Sequence, residues 1–107
     1  MPTRDLRDAS AYAMAALTGE LDKLLAATEG SRNDTLNAAA FALGQLVAAG
    51  HLDHGTVHDE LVSAAGRIGL PRTEAERTTT SGMAAGTRQP RRHCPQANLT
   101  TIREQGL

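Results

Sequence analysis

The helical character of the chain is clearest in residues 33–50, which read NDTLNAAAFALGQLVAAG. The apolar residues of this stretch recur at intervals of three and four, the spacing that places side chains on one face of an α-helix. That face consists of Leu36, Ala39, Ala40, Leu43, Leu46 and Val47. Gly50 follows the last turn, where a glycine commonly ends a helix. The stretch therefore predicts a helix from about Asn33 to Ala49.

Three further segments have the same periodicity and predict helices over about residues 8–28, 54–68 and 73–86. The first has an apolar stripe of Met14, Leu17, Leu21, Leu24 and Leu25, and the third has one of Val57, Leu61, Ala64, Ala65 and Ile68. The last segment is rich in threonine and contains Gly82, so its own residues favour a helix only weakly; its predicted inner face is Ala75, Thr79 and Met83.

Polar residues at the predicted helix starts are suited to capping. Asp53 precedes the third helix, and Ser31 or Asn33 is placed to accept a backbone N–H at the start of the second. Thr73 and Glu76 have the spacing of a capping box at the start of the fourth. Gly30, Gly50 and Gly69 are placed to end the first three helices. Together these patterns predict an all-α fold, a small bundle of three to four helices over residues 1–86.

The composition indicates a small core. Aromatic residues make up only 2% of the chain, with one tyrosine, Tyr12, and one phenylalanine, Phe41. Leucine, valine, isoleucine, methionine and many alanines must then fill the interior, so we expect modest stability and a gain from packing on a partner or on a second copy. The lone cysteine, Cys94, excludes an intrachain disulfide, and no apolar run is long enough to span a membrane. We therefore expect a cytoplasmic protein without membrane contact.

The charge is distributed unevenly. The net charge of −1 divides into −4 for residues 1–87 and +3 for residues 88–107, where four arginines face one glutamate. Residues 87–107 lack helical periodicity and are predicted to form a flexible, disordered basic tail. Such a tail either contacts nucleic acid or an acidic partner, or only solubilises the chain.

The start of the second helix has the residues for a nucleic-acid site. Free N–H groups and the helix dipole favour a phosphate there, arginine suits phosphate, and asparagine suits base edges. Asn33 and Asn37 are four residues apart and are predicted to project together. The alternative is ordinary capping with a surface arginine. The candidate nucleic-acid-binding residues are Arg32, Asn33, Asn37, Arg88, Arg91 and Arg92.

Catalytic and metal sites are not indicated. His54 and His58 share a helical face, with His51 just before them, but two histidines without a second ligand cluster are more typical of a solvated surface than of a zinc site. The serines and threonines of residues 73–87 stand in no nucleophile or phosphate-loop motif. Cys94 has no orienting base beside it. We therefore expect no metal, no cofactor and no enzymatic activity.

A helix-turn-helix is a further possibility for the second half of the chain. Ala65, Gly69 and a new helix at Thr73 have the spacing of that motif, whose second helix would offer Arg72 and Arg77 to DNA. Glu74 and Glu76 argue against it, because their carboxylates would face phosphate. The sequence leaves this alternative open.

Residues 30–86 resemble a known replication module. Gly30-Ser31-Arg32-Asn33 with Leu36 resembles the G-x-R-N-x-x-L opening of the primase C-terminal type 1 domain. The resemblance continues through Gly50, the third helix, Gly69-Leu70-Pro71 and Ser81-Gly82-Met83. Similar segments follow the catalytic domain in primase-polymerases of actinobacteria, their plasmids and their phages. Thr79 departs from the pattern, since such modules usually carry an aliphatic residue there.

The resemblance implies an accessory role in DNA replication without catalysis, because the catalytic domain of those proteins has no counterpart here. The expected partner is DNA, with single-stranded template preferred, or a replication protein. The alternative is a protein-interaction module, either a homodimer or a protein that binds another chain, including a phage-encoded inhibitor of a host protein. The Ala-rich core and Phe41, which lies off the apolar stripe, favour that alternative.

Overall fold

The computed structural model describes the backbone of residues 2–89 and the side chains of residues 11–89. Four helices account for most of it: α1 (Pro2–Leu25), α2 (Arg32–Ala48), α3 (His54–Arg67) and α4 (Arg72–Thr87). The predicted all-α bundle is confirmed, and α2, α3 and α4 begin and end within one residue of their predicted bounds. The predicted tail lies almost wholly outside the described residues.

The core is built from aliphatic side chains and alanines of all four helices. Its largest fully buried side chains are leucines and one methionine, with Val57 and Thr79 beside them. Half-buried residues such as Tyr12 and Leu52 pack around this centre. The buried apolar residues are Ala13, Leu17, Leu24, Leu36, Ala39, Ala40, Leu43, Leu46, Val57, Leu61, Ala64, Ala65, Ala75 and Met83. The predicted inner face of α4, made of Ala75, Thr79 and Met83, is confirmed.

Helices α2 and α4 run parallel and form the most extensive helix contact in the bundle. Near the start of both helices, the Asn33 amide donates to Thr78 Oγ1 over 2.9 Å. Near their other end, Gln45 Nε2 donates to the carbonyl of Gln89, two residues after α4, over 2.9 Å. Because both helices start at the same end, the intervening α3 returns the chain from the end of α2 to the start of α4.

Glycines allow the close approach of α2 and α4. A Cβ on Gly44 would lie 2.6 Å from the carbonyl oxygen of Met83, and one on Gly82 would lie 2.7 Å from Ala40 Cβ. A Cβ on Gly86 would overlap the carbonyl oxygen of Phe41. The glycines that weaken α4 as an isolated helix are therefore the residues that let it pack against its neighbour.

One of the three predicted helix caps agrees with the structure, and two differ from it. The cap that agrees is Asp53 of α3, which accepts from the backbone N–H of Thr56 over 2.9 Å. Ser31 occupies the cap position of α2 but makes no cap hydrogen bond, because its hydroxyl donates to the carbonyl of Thr28. The capping box at Thr73 was wrong. The α4 helix starts one residue earlier, after Pro71, and Glu76 accepts a hydrogen bond from Arg72 Nε instead.

Helix α1 differs from its prediction in both extent and burial. It begins at Pro2 and ends at Leu25, about three residues before its predicted end. Leu17 and Leu24 of the predicted stripe are buried, whereas Met14 and Leu25 are 55% and 40% exposed. The predicted stripe is too wide for one helix to bury against α2 and α3 alone.

The connections between the helices turn at the predicted glycines. Gly50 and Gly69 have φ of 86° and 96°, in the left-handed region where a side chain is strained. Gly30 has a φ of 98°, but α1 ends five residues before it. None of the described helices has an apolar segment long enough to cross a membrane.

We expect Gly86→Ala to destabilise the protein, although alanine favours a helix more than glycine does. The added methyl group would collide with the backbone of Phe41 and force α4 away from α2, at a cost of about 1–3 kcal/mol. Thermal and urea denaturation followed by circular dichroism measure the change.

Gly19→Ala is the matched control, because nothing lies within 4 Å of a Cβ at this position in α1. This substitution should stabilise by roughly 0.5–1 kcal/mol through helix propensity alone. Equal effects of the two substitutions would show that α2 and α4 do not approach as closely as described.

The Asp53 cap makes part of the stability dependent on pH. The backbone N–H of Thr56, and then its hydroxyl, stabilise the charged carboxylate and hold the pKa of Asp53 below its usual 3.8. A depressed pKa contributes stability above the unfolded-state value and loses it as pH falls through the folded-state value. The difference in unfolding free energy between the native chain and Asp53→Asn should therefore shrink as pH falls below about 4. A difference that stays constant from pH 7 to pH 2 would contradict the role of the charged cap.

Candidate nucleic-acid interface

Asn33 joins α2 to α4 within the fold. Its Nδ2 donates to Glu74 Oε2 over 2.8 Å and to Thr78 Oγ1 over 2.9 Å. Both amide hydrogens of the side chain are thus used inside the bundle, in a half-buried position. Asn33 therefore helps to hold α2 against α4. The sequence analysis had assigned it to nucleic-acid binding and not to this contact.

Arg32 lies at the end of the bundle where α2 and α4 both begin. Its side chain reaches the turn between α3 and α4, where its Nη1 would be 3.7 Å from a Cβ on Gly69. The residue is half-buried, and its Nε is buried without a hydrogen-bond partner. Only part of the guanidinium is therefore available to a phosphate.

Asn37 lies one turn after Asn33 and also faces α4. Its Oδ1 would be 3.0 Å from a Cβ on Gly82, yet the residue as a whole is exposed. Asn37 thus borders the seam between the two helices and remains accessible from solvent.

Arg88 lies just after α4, at the opposite end of the α2–α4 pair from Arg32. It is exposed and follows the last helical turn. The next residue, Gln89, accepts the hydrogen bond from Gln45 that fixes this end of the pair. Arg91 and Arg92 lie outside the described residues. The predicted residues that the structure describes are therefore spread along the α2–α4 pair.

The outer face of α4 has an arginine that the proposed site omitted. Arg77 is exposed and projects to the same side as Arg88, because eleven residues are close to three full turns. Ser81 and Ala84 lie between them on the same line and are also exposed. We refer to Arg77, Ser81, Ala84 and Arg88 as the α4 ridge.

The charges on the α4 ridge have no partner among the described residues, where neither arginine takes part in an ion pair or a side-chain hydrogen bond. The two glutamates of α4 are engaged elsewhere: Glu76 pairs with Arg72 at 2.9 Å, and Glu74 accepts from Asn33. The spacing of Arg77 and Arg88 was visible in the sequence. The outward orientation of Arg77 follows from the predicted inner face of α4. That neither arginine has a charge partner among the described residues was not visible, because it depends on how Glu74 and Glu76 are engaged.

The neighbourhood of the histidines is polar. His58 Nδ1 lies 3.6 Å from Asp59 Oδ1, and its Nε2 lies 3.5 Å from Thr80 Oγ1, while His54 is exposed. No group of three potential metal ligands converges within the part of the chain that the structure describes.

In the helix-turn-helix alternative, α3 and α4 would be the two helices of the motif. Four residues join α3 to α4, but α4 packs mainly on α2. A cavity of about 470 Å³ separates parts of α3 and α4, bordered by His58, Val62, Leu70 and Arg72. The exposed α4 ridge is compatible with contact to a nucleic acid whether or not α3 takes part.

Comparison with protein-family models, with curated proteins and with solved structures finds no match in any of the three. The resemblance to the primase C-terminal type 1 domain therefore stays a hypothesis that rests on the residues quoted above.

We expect Asn33→Ala to lower stability rather than nucleic-acid affinity. The substitution removes both hydrogen bonds to α4 and leaves Glu74 without this donor, at a cost of about 1–2 kcal/mol in urea denaturation. Asn37→Ala, one turn away and exposed, should stay within roughly 0.5 kcal/mol of the native chain. A stable Asn33→Ala variant with weakened binding would instead assign Asn33 to the interface.

Proposed function

We propose that the protein is a noncatalytic nucleic-acid-binding module that contacts its ligand through the α4 ridge. The observation that carries the proposal is the pair of exposed arginines, Arg77 and Arg88, without charge partners among the described residues. Asn37 lies exposed at the edge of the α2–α4 contact, and Arg32 adds a partly available charge at the end of the pair where both helices begin.

The spacing of the ridge suits a polyanion. Arg77 and Arg88 are separated by about 16 Å along the helix axis, at 1.5 Å per residue. The side chains between them, Ser81 and Ala84, are short, so a strand backbone can approach the helix closely. Arginine binds phosphate with a planar set of donors, and a serine hydroxyl can add a hydrogen bond to a phosphate oxygen.

The sequence extends the positive charge beyond the ridge. Arg91 and Arg92 follow Arg88 by three and four residues, and residues 88–107 carry a net charge of +3. Phosphate contacts of this kind give affinity with little base recognition. The preference we propose is single-stranded template DNA, which follows from the resemblance to primase modules.

An accessory role in DNA replication in the cytoplasm accords with these features. Arg77 and Arg88 are arranged along an exposed surface of α4, which suits binding to an extended ligand. A replication protein with an acidic surface is the other partner that the ridge would suit.

We expect Arg77→Ala and Arg88→Ala each to weaken binding to a single-stranded oligonucleotide and to reduce its salt dependence. Each lost phosphate contact should lower the log–log slope of affinity against salt by about 0.7. Fluorescence anisotropy over a range of salt concentrations measures both quantities. The same titrations with duplex DNA test the strand preference.

Arg67→Ala is the matched control, since Arg67 is an exposed arginine on α3 and the substitution removes the same charge. It should leave the slope unchanged. If all three substitutions lower affinity equally, the binding is a general charge effect and the ridge is not the site. No binding at low salt would contradict the proposed function itself.

A further inference from the structure

The cavity of about 470 Å³ between α3 and α4 is not used by the binding surface proposed above. Its volume lies within the range of pockets that take up small organic groups, roughly 300–1,000 Å³. The half-buried side chains of Val62 and Leu70 supply apolar surface. His58, Arg72 and Glu76 supply polar groups at its border. Apolar walls with a few polar groups are the usual composition of a pocket that binds a small ligand.

Gly66 leaves open space in the wall of this cavity. It lies in the last turn of α3, and nothing is found within 4 Å of a Cβ at this position. Its backbone is not in the left-handed region, unlike that of Gly50 and Gly69. Neither a close helix contact nor the backbone conformation therefore requires a glycine here, and a glycine within a helix is less favourable than alanine. What Gly66 contributes is room in the cavity.

The cavity lies beside the α4 ridge. Glu76 borders the cavity, and Arg77 of the ridge is the next residue of the same helix. Thr80, whose Oγ1 lies 3.5 Å from His58 Nε2, follows Arg77 by three residues, and residues three apart are neighbours on a helix surface. A phosphate bound by Arg77 would therefore have the sugar and base of its own nucleotide within reach of the cavity.

We propose that the cavity between α3 and α4 receives one unpaired nucleobase of a strand whose phosphates lie on the α4 ridge. This inference rests on the proposed binding of nucleic acid and adds a site for the base. Histidine rings and arginine guanidinium groups both stack on bases, and His58 and Arg72 border the cavity. A base in a duplex is held by its partner strand, so the cavity favours single-stranded DNA.

The carboxylates at the border select the type of base. Glu76 Oε2 accepts from Arg72 Nε over 2.9 Å, which leaves the other carboxylate oxygen as an acceptor, and Asp59 adds an exposed carboxylate. An ionised carboxylate only accepts hydrogen bonds, so it suits an exocyclic amino group such as N4 of cytosine. Uracil and thymine present carbonyl oxygens on both sides of their N3–H, and these would face the carboxylate. Phosphate is repelled for the same reason, so the base enters and the backbone stays on the ridge.

Two strands that differ at one exocyclic group test this selection. Fluorescence anisotropy compares a single strand of about ten deoxycytidines with one of about ten deoxyuridines, at neutral pH and equal salt concentration. The native chain should bind the deoxycytidine strand at least about fivefold more tightly. The salt dependence reports phosphate contacts and should be the same for both strands.

Gly66→Leu places a side chain in the cavity, starting from a Cβ that meets no other atom. It should lower the affinity for the deoxycytidine strand to that for the deoxyuridine strand, and leave the salt dependence and the binding of duplex DNA unchanged. Glu76→Gln should also reduce the ratio of the two affinities, because an amide both accepts and donates.

Gly19→Leu is the matched control, since a Cβ at this position of α1 also meets nothing within 4 Å and Gly19 does not border this cavity. It should keep the ratio of the native chain. Circular dichroism melting checks that each variant is folded.

The outcomes separate the cavity from the ridge. Equal affinity of the native chain for the two strands, or a ratio that Gly66→Leu leaves unchanged, would overturn the base site while salt-dependent binding to the ridge remained. No binding of either strand at low salt would contradict the proposed function and this inference with it.

An abasic strand of the same length gives a second measurement. It should bind with unchanged salt dependence but without shifting the ring protons of His58 in nuclear magnetic resonance spectra, whereas the deoxycytidine strand should shift them. Equal shifts with both strands would show that no base enters the cavity.

Discussion

The close contact between α2 and α4 organises the bundle. Gly82 and Gly86 present a surface without side chains to Ala40 and the backbone of Phe41, so the two helices come together with few large residues between them. A chain with only 2% aromatic residues cannot fill a wide interhelical space, and close packing of small residues is its alternative source of dispersion energy. The parallel direction of the pair follows from its hydrogen bonds at both ends, and it in turn fixes α3 as the return segment. The same contact determines which face of α4 is left for solvent.

Features that depend on neighbouring residues could be predicted from the sequence. Apolar periodicity located α2, α3 and α4 to within a residue, and Asp53 was recognised as a cap because its hydrogen bond spans only three residues. Features that depend on distant residues could not. The glycines of α4 were interpreted as weakening the helix, since nothing local shows that α2 packs against them. Thr79 is fully buried with a hydroxyl that finds no partner. Its burial was predicted, but its lack of a partner depends on side chains from other helices.

In the candidate site, too, the residue types could be predicted from the sequence, whereas their contacts with distant residues could not. Residue types at the start of α2 suited phosphate and base recognition, but the sequence could not show that the Asn33 amide would be used by Glu74 and Thr78. Likewise, the sequence offered Arg77 to DNA only in the helix-turn-helix alternative, since it could not show that Glu74 and Glu76 would be engaged by other residues. The exposed Met14 and Leu25 were assigned to the core because periodicity identifies an apolar face without saying what covers it.

Nuclear Overhauser spectroscopy of the full chain tests most directly whether glycines let α2 and α4 approach each other this closely. We expect cross-peaks between the α-protons of Gly82 and the methyl group of Ala40, and between those of Gly86 and protons of Phe41 and Gln45. Such peaks require the backbone of α4 to lie against α2. Their absence, in a protein whose chemical shifts show both helices to be formed, would contradict the close approach of α2 and α4.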